Sequence, residues 1–189
     1  MRALVYDIET KKRVLGKNEQ AFEGEQVALS WMDRTDMGIS VICAVTYPDK
    51  QHYVFRDNEL PEFIQLALSC DVLSGYGIKT FDNLMLKAHG YDMDFIRTYD
   101  LMHELRCINT SGKIQSLNTM LARQGFPLKA MDGAHAPYLY QTGQWDALVG
   151  YCLDDCNKEL LLFEKAAAQV PWNTETSVLM PRSPWEIPA

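Results

Sequence analysis

The order of its apolar segments is the feature that most constrains the fold of this chain. Three short segments rich in β-branched and aromatic residues come first, and helix-like and strand-like segments then alternate up to one long helix. The early run is typical of antiparallel strands, and the later alternation is typical of parallel ones. We therefore predict an α/β fold in which one mixed sheet, with an antiparallel hairpin at its edge, is flanked by helices. The predicted strands are 2–8, 39–46, 51–56, 71–78 and 94–102.

Helices are predicted where apolar residues recur every three or four positions. Gly90 ends one of them, as glycine commonly does at a helix terminus. No glycine-rich dinucleotide motif follows the first strand and the chain has no P-loop, which excludes a Rossmann or P-loop protein. The predicted helices are one that follows Asn58, then 81–90, 114–124 and 144–169, and a loop is predicted at 125–137.

Two segments have no helix or strand pattern. Residues 11–38 are polar and too long for a tight turn, and Phe22 and Trp31 within them favour either a segment folded back over the sheet or a mobile flap. Residues 171–189 include four prolines, which predict an extended tail. We therefore predict one folded domain at 1–170, followed by that tail.

The composition limits the class of protein. The chain has 189 residues, of which 47% are hydrophobic and 23% are charged. These values fit one folded domain and oppose a disordered chain. The formal net charge of −7 argues against a basic surface that grips duplex DNA non-specifically. It does not exclude a nucleic-acid enzyme, because carboxylates that hold divalent cations also count as negative charges.

The sequence also bears on location and cysteine chemistry. No apolar run approaches the ~20 residues of a membrane span, and the first residues lead into a charged, strand-like segment without a cleavable signal. We therefore expect a cytoplasmic protein with no membrane contact. The five cysteines form no CxxC pair; Cys152 and Cys156, four apart on the long helix, are either free thiols or joint ligands of a metal.

Acidic residues stand at three places that the predicted fold could bring together. Asp7 and Glu9 share one face of the first strand, Asp82 begins a helix after a glycine turn, and Asp155 shares a helix face with Tyr151. Singly, Asp7 with Glu9 and Asp82 have structural explanations, such as a solvated strand and a helix cap. Asp155 is different, because an acid on the core-facing side of the last helix needs a compensating charge, which a metal ion would supply. Together, four carboxylates favour Mg²⁺ or Mn²⁺ over zinc. Two such ions about 4 Å apart suit phosphodiester cleavage.

These residues carry a resemblance to a known superfamily. DIE at 7–9, the block GYGIKTFDN that contains Asp82, and YCLDD at 151–155 resemble the three motifs of the DEDD superfamily of 3′–5′ exonucleases. Its members have an RNase H-like fold and include the proofreading domains of DNA polymerases. The tyrosine four residues before the last aspartate resembles the DEDDy branch. The stretch 133–156, with Lys129 upstream, is similar to stand-alone bacterial and phage members predicted to be nucleases.

The resemblance implies a role for each motif residue. Asp7, Glu9 and Asp155 would bind the metal ion that activates water, Asp7 and Asp82 would hold the second ion, and Tyr151 would orient the water. The reaction would release 5′-mononucleotides from the 3′ end of single-stranded nucleic acid, DNA more than RNA. The family often has Asn or Thr near the position of Gly77, so the glycine here is a departure that concerns a side-chain contact to the substrate and not the metal site.

Further residues are candidates for substrate binding. Residues 97–129 have a net charge of +3 and residues 132–164 a net charge of −5, which fits either a phosphate path beside a metal cluster or ordinary solvated charges. Aromatic side chains could stack on bases or pack in the protein. His135 is not expected to act as a base, because Tyr151 fills that place on the helix. The candidate binding residues are Phe81, Lys129, Tyr76 and Arg123, with Tyr138 and Trp145 as further stacking candidates.

Two other functions fit the same residues. One is a catalytically silent RNase H-like module that binds nucleic acid or a replication or repair protein; the other is a fold that a metal merely stabilises. The tail with Trp185 would either dock on such a partner or have no role. The chain is expected to be a monomer or a homodimer.

Overall fold

The computed structural model describes residues 1–108, 115–129, 131, 133–174 and 177–188. Five strands form one sheet; they are β1 (Ala3–Thr10), β2 (Ile39–Tyr47), β3 (His52–Arg56), β4 (Val72–Gly75) and β5 (Thr98–Asp100). Their order is β3-β2-β1-β4-β5, with β1, β2 and β3 antiparallel and β4 and β5 parallel to β1. The predicted mixed sheet with an antiparallel edge is therefore confirmed.

The two halves of β1 differ in their partners. Strand β2 pairs with β1 along its whole length, from Ala3 to Thr10, with an irregularity in register between Glu9 and Thr10. Strand β4 pairs only with Ala3, Leu4 and Val5. The second half of β1, which bears the two acids, is thus open on the β4 side.

Helices cover both faces of the sheet. They are α1 (Arg34–Met37), α2 (Leu60–Leu68), α3 (Asp82–Ala88), α4 (Leu101–Ile108), α5 (Leu117–Gln124), α6 (Ala136–Gln141) and α7 (Trp145–Ala167). Helix α7 packs across β1 and β2 on one face. Residues of α2 and α3 join a second hydrophobic cluster on the other face. No helix in the described ranges is long and apolar enough to cross a membrane.

Several element boundaries differ from the prediction. The strand predicted at 94–102 spans Thr98–Asp100, because Asp100 accepts a hydrogen bond from the His103 amide (3.0 Å) and so caps the start of α4. The strand predicted at 71–78 ends at Gly75, and the helix predicted at 114–124 begins after the Ser116 cap. Ile114 lies outside the described residues. The loop predicted at 125–137 contains a 3₁₀ turn and the start of α6.

Residues 11–38 fold back on the domain. Val14 forms an isolated bridge with Ala28, and the Phe22 ring lies 5.0 Å from the Tyr138 ring. The side chain of Gln141 accepts a hydrogen bond from the Gln26 amide at 2.7 Å. Of the two alternatives for this segment, the described contacts match the folded one.

The proline-containing segment after α7 also packs on the domain. It contributes two short paired strands, β6 (Trp172–Asn173) and β7 (Val178–Leu179). Trp172 is buried in the same cluster as α7, and the Trp185 ring lies 5.8 Å from the Phe163 ring. Arg182 pairs with buried Glu104 at 2.6 Å. The prediction of a simply extended tail misses this packing, which the apolar side chains among the prolines produce.

Candidate functional site

Two of the predicted acids lie at the open half of β1. Asp7 is half-buried and Glu9 is buried, and their side chains point to the same face. One ligand atom each from Asp7, Glu9 and Cys152 lie within 4.8 Å of one another. This spacing is close enough for a single cation to contact both carboxylates.

Asp82 joins them from the start of α3. It is buried, and its Oδ1 accepts a hydrogen bond from the Ile8 amide at 3.0 Å, between the two acids of β1. The next residue, Asn83, accepts a hydrogen bond from the hydroxyl of Tyr6. These two contacts fix the beginning of α3 against β1 and bring Asp82 to the same pocket.

The loop before Asp82 is held by another buried acid. Asp100 accepts hydrogen bonds from the amides of Gly77 (3.1 Å), Lys79 (3.0 Å) and His103. Gly77 has a φ of +87°, and a Cβ there would lie 3.1 Å from Met102. The positive φ and the nearby Met102 side chain therefore favour glycine at this turn.

Helix α7 completes the site. Tyr151 and Asp155 lie one turn apart on its buried face. One oxygen of Asp155 forms an ion pair with the Lys129 ammonium, which also lies 5.3 Å from the centroid of the Tyr151 ring. The other oxygen, Oδ1, is buried and has no hydrogen-bond partner within the described ranges.

Burial and mutual repulsion raise the pKa values of the acids. Removal from water, followed by the charge of Asp155, raises the pKa of Asp7 to about 6. Burial also raises the pKa values of Glu9, Asp82 and Asp155, although Lys129 partly opposes this at Asp155. A bound cation would favour the ionised acids, so the cluster and the unsatisfied Asp155 oxygen fit a divalent metal ion.

Glu159 is a buried acid that the sequence reasoning missed as a site residue. It lies one turn beyond Asp155 on α7, and its buried Oε2 has no hydrogen-bond partner in the described part of the chain. Burial and the charges of Asp7 and Asp82 raise its pKa. Its spacing from Asp155, one helical turn, is the sequence signal that indicates a shared helix face.

The predicted catalytic residues surround one pocket of about 400 Å³. Of the four predicted binding residues, Phe81, Lys129 and Tyr76 line it, whereas Arg123 does not. The guanidinium of Arg123 bonds to the Gln115 side chain, and the Tyr76 hydroxyl donates to the Gln115 carbonyl at 2.5 Å. One wall of the pocket was not predicted from the sequence. The 11–38 segment forms it, with Arg13, Val14, Glu19, Trp31 and Met37.

The other candidates have packing roles in the structure. Tyr138 contacts Phe22, and the centroid of the Trp145 ring lies 4.4 Å from the guanidinium carbon of Arg56. Neither side chain lines the pocket. Cys152 and Cys156 are buried free cysteines whose thiol pKa values are raised by burial. Two charged residues of the predicted asymmetry, Lys113 and Asp132, lie outside the described residues.

Comparison with known proteins identifies the fold. No family model matches the sequence, and no curated protein matches it. The structure is similar to that of the family B DNA polymerase from the hyperthermophilic archaeon Pyrobaculum calidifontis, with a TM-score of 0.60 and 17% identity. The likeness covers 87% of this chain and 24% of the polymerase chain, so the chain spans about a quarter of it. With the mixed sheet, this likeness supports the predicted RNase H-like fold.

Proposed function

We propose that the protein is a metal-dependent nuclease that removes nucleotides from the 3′ ends of single-stranded nucleic acid, DNA in preference to RNA. One observation carries the proposal: four carboxylates from three separate elements meet with Tyr151 around one pocket. The DEDDy motifs supply the polarity of the reaction by resemblance. The preference for DNA is supported by the structural likeness to a DNA polymerase.

The acids are suited to hold Mg²⁺ or Mn²⁺. Asp7, Glu9 and Asp155 would hold one ion, and Asp7 with Asp82 would hold a second. Hard carboxylate oxygens select these cations, and Asp155 has an unsatisfied oxygen to offer. Bound in this way, the ions supply an activated water and neutralise charge on the phosphodiester.

Tyr151 would position the attacking water. Burial, followed by the charges of Glu9 and Asp155, raises the pKa of its hydroxyl, which therefore keeps its proton. A protonated hydroxyl can donate one hydrogen bond and accept another, but it is not a general base. The hydroxyl would lie 3.2 Å from a Cβ placed at Gly133, so glycine leaves space beside it.

Lys129 would exchange partners during the cycle. In the metal-free protein its ammonium neutralises Asp155. Burial alone would lower its pKa, but Asp155 and the neighbouring acids outweigh this and raise it, so Lys129 stays charged. With the carboxylates compensated by bound cations, the Lys129 ammonium would be available to pair with a phosphate oxygen of the substrate.

A gel time course tests the activity. Single-stranded DNA and RNA of one sequence, labelled at the 5′ end, are incubated with Mg²⁺, Mn²⁺ or EDTA. We expect a ladder that shortens from the 3′ end, requires metal, and is lost in Asp7→Asn and Asp155→Asn. Asp146→Asn is the matched control, because Asp146 is exposed in the first turn of α7 and does not line the pocket. Full activity of Asp7→Asn would overturn the proposal.

The silent module is the second candidate, and the ion pair of Lys129 with Asp155 favours it. This pair compensates part of the buried negative charge without any metal. Titration calorimetry separates the two functions, because the module predicts no binding of Mn²⁺ and the nuclease predicts binding that Asp7→Asn weakens.

A further inference from the structure

The wall that residues 11–38 add to the acidic pocket contains a buried cation. Arg13 lines the pocket on this wall. The Ala28 amide donates to the Arg13 carbonyl at 2.9 Å, which fixes the backbone, and the centroid of the Phe22 ring lies 5.0 Å from the guanidinium carbon. The guanidinium is therefore held in a defined position beside the pocket.

Arg13 has a buried carboxylate partner that holds it in this orientation. The side chain of Glu25 has no exposed surface, and its two oxygens accept hydrogen bonds from Nε and Nη2 of Arg13 at 2.8 and 3.1 Å. Burial alone would raise the pKa of Glu25, but its hydrogen bonds with Arg13 and with the Phe22 amide lower it, so Glu25 stays ionised. This bidentate pair balances the charge of Arg13.

A second carboxylate, that of Glu19, pairs with the same guanidinium from the solvent side. Its Oε2 accepts hydrogen bonds from Nη1 of Arg13 at 3.2 Å and from the Gly16 amide at 2.9 Å. The Glu19 side chain is 53% exposed, whereas the Arg13 side chain is 9% exposed. Ion pairs with an exposed partner add little to stability, so Glu19 can leave Arg13 at a small cost in free energy.

Two donors thus converge on one oxygen of an exposed carboxylate. A phosphate oxygen is an anionic acceptor of the same kind, and arginine side chains and backbone amides are among the groups that bind nucleic-acid phosphates. The chain's own carboxylate at these donors shows that the position accepts an anionic oxygen. A phosphate fits the same donors once Glu19 has moved into water.

The charge of the pocket favours this exchange when a substrate binds. The proposed metal ions would compensate four of the acids in the pocket, but Glu19 pairs with Arg13 and keeps a negative charge in the opposing wall. Departure of Glu19 removes a charge that repels a phosphate and leaves Arg13 to attract it. Among the described residues that line the pocket, the acids are Asp7, Glu9, Glu19, Asp82 and Asp155, and the cations are Arg13 and Lys129.

We propose that Arg13 and the Gly16 amide form a phosphate-binding site in the pocket wall, and that Glu19 occupies this site until the substrate displaces it. The ligand is a phosphate of the nucleic-acid strand. Because Arg13 and the metal-binding acids line one pocket of about 400 Å³, this phosphate is the neighbour of the scissile one. The inference rests on the proposed nuclease function, to which it adds a binding residue outside the three motifs and a carboxylate that competes with the substrate.

A substrate with one neutral linkage tests the site directly. Two single strands of one sequence are compared, one with ordinary phosphodiesters and one with an uncharged methylphosphonate at the second linkage from the 3′ end. Glu19→Gln removes the competing charge but keeps an amide oxygen for the two donors. Glu23→Gln is the matched control, because Glu23 is exposed in the same segment and does not line the pocket.

We expect Glu19→Gln to lower KM for the ordinary strand about threefold and to leave kcat unchanged, because one exposed ion pair no longer competes with the substrate. The methylphosphonate strand should show no such gain, and neither strand should respond to Glu23→Gln. Equal effects of Glu19→Gln on the two strands, or no effect on either, would overturn the proposal.

The double variant Arg13→Gln/Glu25→Gln removes the cation itself. It neutralises both partners together, so no buried charge loses its counterion and the net charge of the protein stays the same. We expect kcat/KM to fall about tenfold on the ordinary strand and little on the methylphosphonate strand, as the loss of one charged hydrogen bond predicts. Lys11→Gln/Asp57→Asn is the control, since it removes an ion pair that does not line the pocket. An equal loss on both strands would show a purely structural role and overturn the proposal.

A binding experiment separates this proposal from the nuclease function. Both strands carry a 5′ fluorophore and a terminal linkage in which a methylene group replaces the 3′ oxygen, so that they cannot be cleaved there. Fluorescence anisotropy with Mn²⁺ gives the ratio of affinities for the charged and the neutral second linkage. If Arg13→Gln/Glu25→Gln reduces this ratio about tenfold, the phosphate site is supported even if the protein cleaves nothing. An unchanged ratio contradicts the site even if the protein is an active nuclease.

Discussion

The ammonium of Lys129 pairs with one oxygen of Asp155, while the other oxygen of that buried carboxylate has no partner in the described part of the chain. The lysine thus compensates only part of the charge that a metal ion would compensate fully. A buried acid that loses such a partner is strongly destabilising.

Lys129→Met should therefore lower the stability of the metal-free protein by about 3 kcal/mol and increase the stabilisation that Mn²⁺ adds. Thermal unfolding with EDTA and with excess Mn²⁺ measures both effects. Lys50→Met, which removes an exposed pair with Glu164, is the control and should change neither. If Mn²⁺ stabilises Lys129→Met and the unsubstituted protein equally, the lysine and the metal ion do not compensate the charge of the same carboxylates.

The raised pKa of Asp7 predicts how stability depends on pH. Between its usual value near 4 and its folded value of about 6, the folded protein binds more protons than the unfolded chain. Stability of the metal-free protein should therefore fall as the pH rises through this window, by on the order of 3 kcal/mol from this group.

Metal should reverse the trend, because only the ionised carboxylates bind it. We expect Mn²⁺ to raise the melting temperature strongly at pH 8 and weakly at pH 5, in scans that compare EDTA with Mn²⁺ at each pH. Asp7→Asn should flatten the pH dependence of the EDTA scans. A metal-free protein that is more stable at pH 8 than at pH 5 would show that other groups dominate.

A substitution at Asp100, which lies outside the pocket, should lower both the stability of the protein and its activity. Its carboxylate satisfies the amides of Gly77, Lys79 and His103, so Asp100→Ala leaves three donors without their partner. We expect a loss of about 3 kcal/mol in urea unfolding, together with weaker cleavage, because the loop leading to Asp82 loses its support. Asp94→Ala, at an exposed carboxylate, is the control. Normal stability of Asp100→Ala would refute this role.

Tyr151→Phe separates water positioning from metal binding. The ring keeps its packing and the hydroxyl is lost, so kcat should fall about 100-fold, as misplacement of a reacting group does. Binding of Mn²⁺, measured by calorimetry, should not change. Tyr138→Phe is the control because Tyr138 packs on Phe22 away from the pocket. Equal kcat values in the two variants would remove Tyr151 from the mechanism.

The predictable part of the site depends on local spacing. Asp7 with Glu9, and Tyr151 with Asp155, face one way because of the repeat of a strand or a helix, and this can be read from the sequence. Glu159 follows the same helical repeat and could have been recognised in the same way. The prediction that these acids lie close to Asp82 depends also on the mixed sheet, and the order of the strands and helices in the sequence indicates that sheet.

The unpredicted part depends on contacts between distant residues. The wall that 11–38 adds to the pocket is held by Gln141 and by Arg13, whose partners have no periodic pattern. The start of α6 had a weak signal, because Pro137 lies in its first turn, where proline is favoured. Burial of Trp172 and Trp185 against α7 likewise follows from long-range packing, which the prolines around them obscured.

The unequal pairing of β1 has a consequence for how this site can vary. Because β4 stops at Gly75, the amide of Ile8 has no strand on the β4 side and donates to the carboxylate of Asp82 instead. The acidic pocket occupies a gap in the sheet beside the second half of β1, and the length of β4 determines how far this gap extends. A longer β4 would supply the missing backbone acceptor, fill the gap and displace Asp82. Insertions that lengthen β4 beyond Gly75 should therefore be far less tolerated than insertions in the 48–51 turn, which connects β2 and β3.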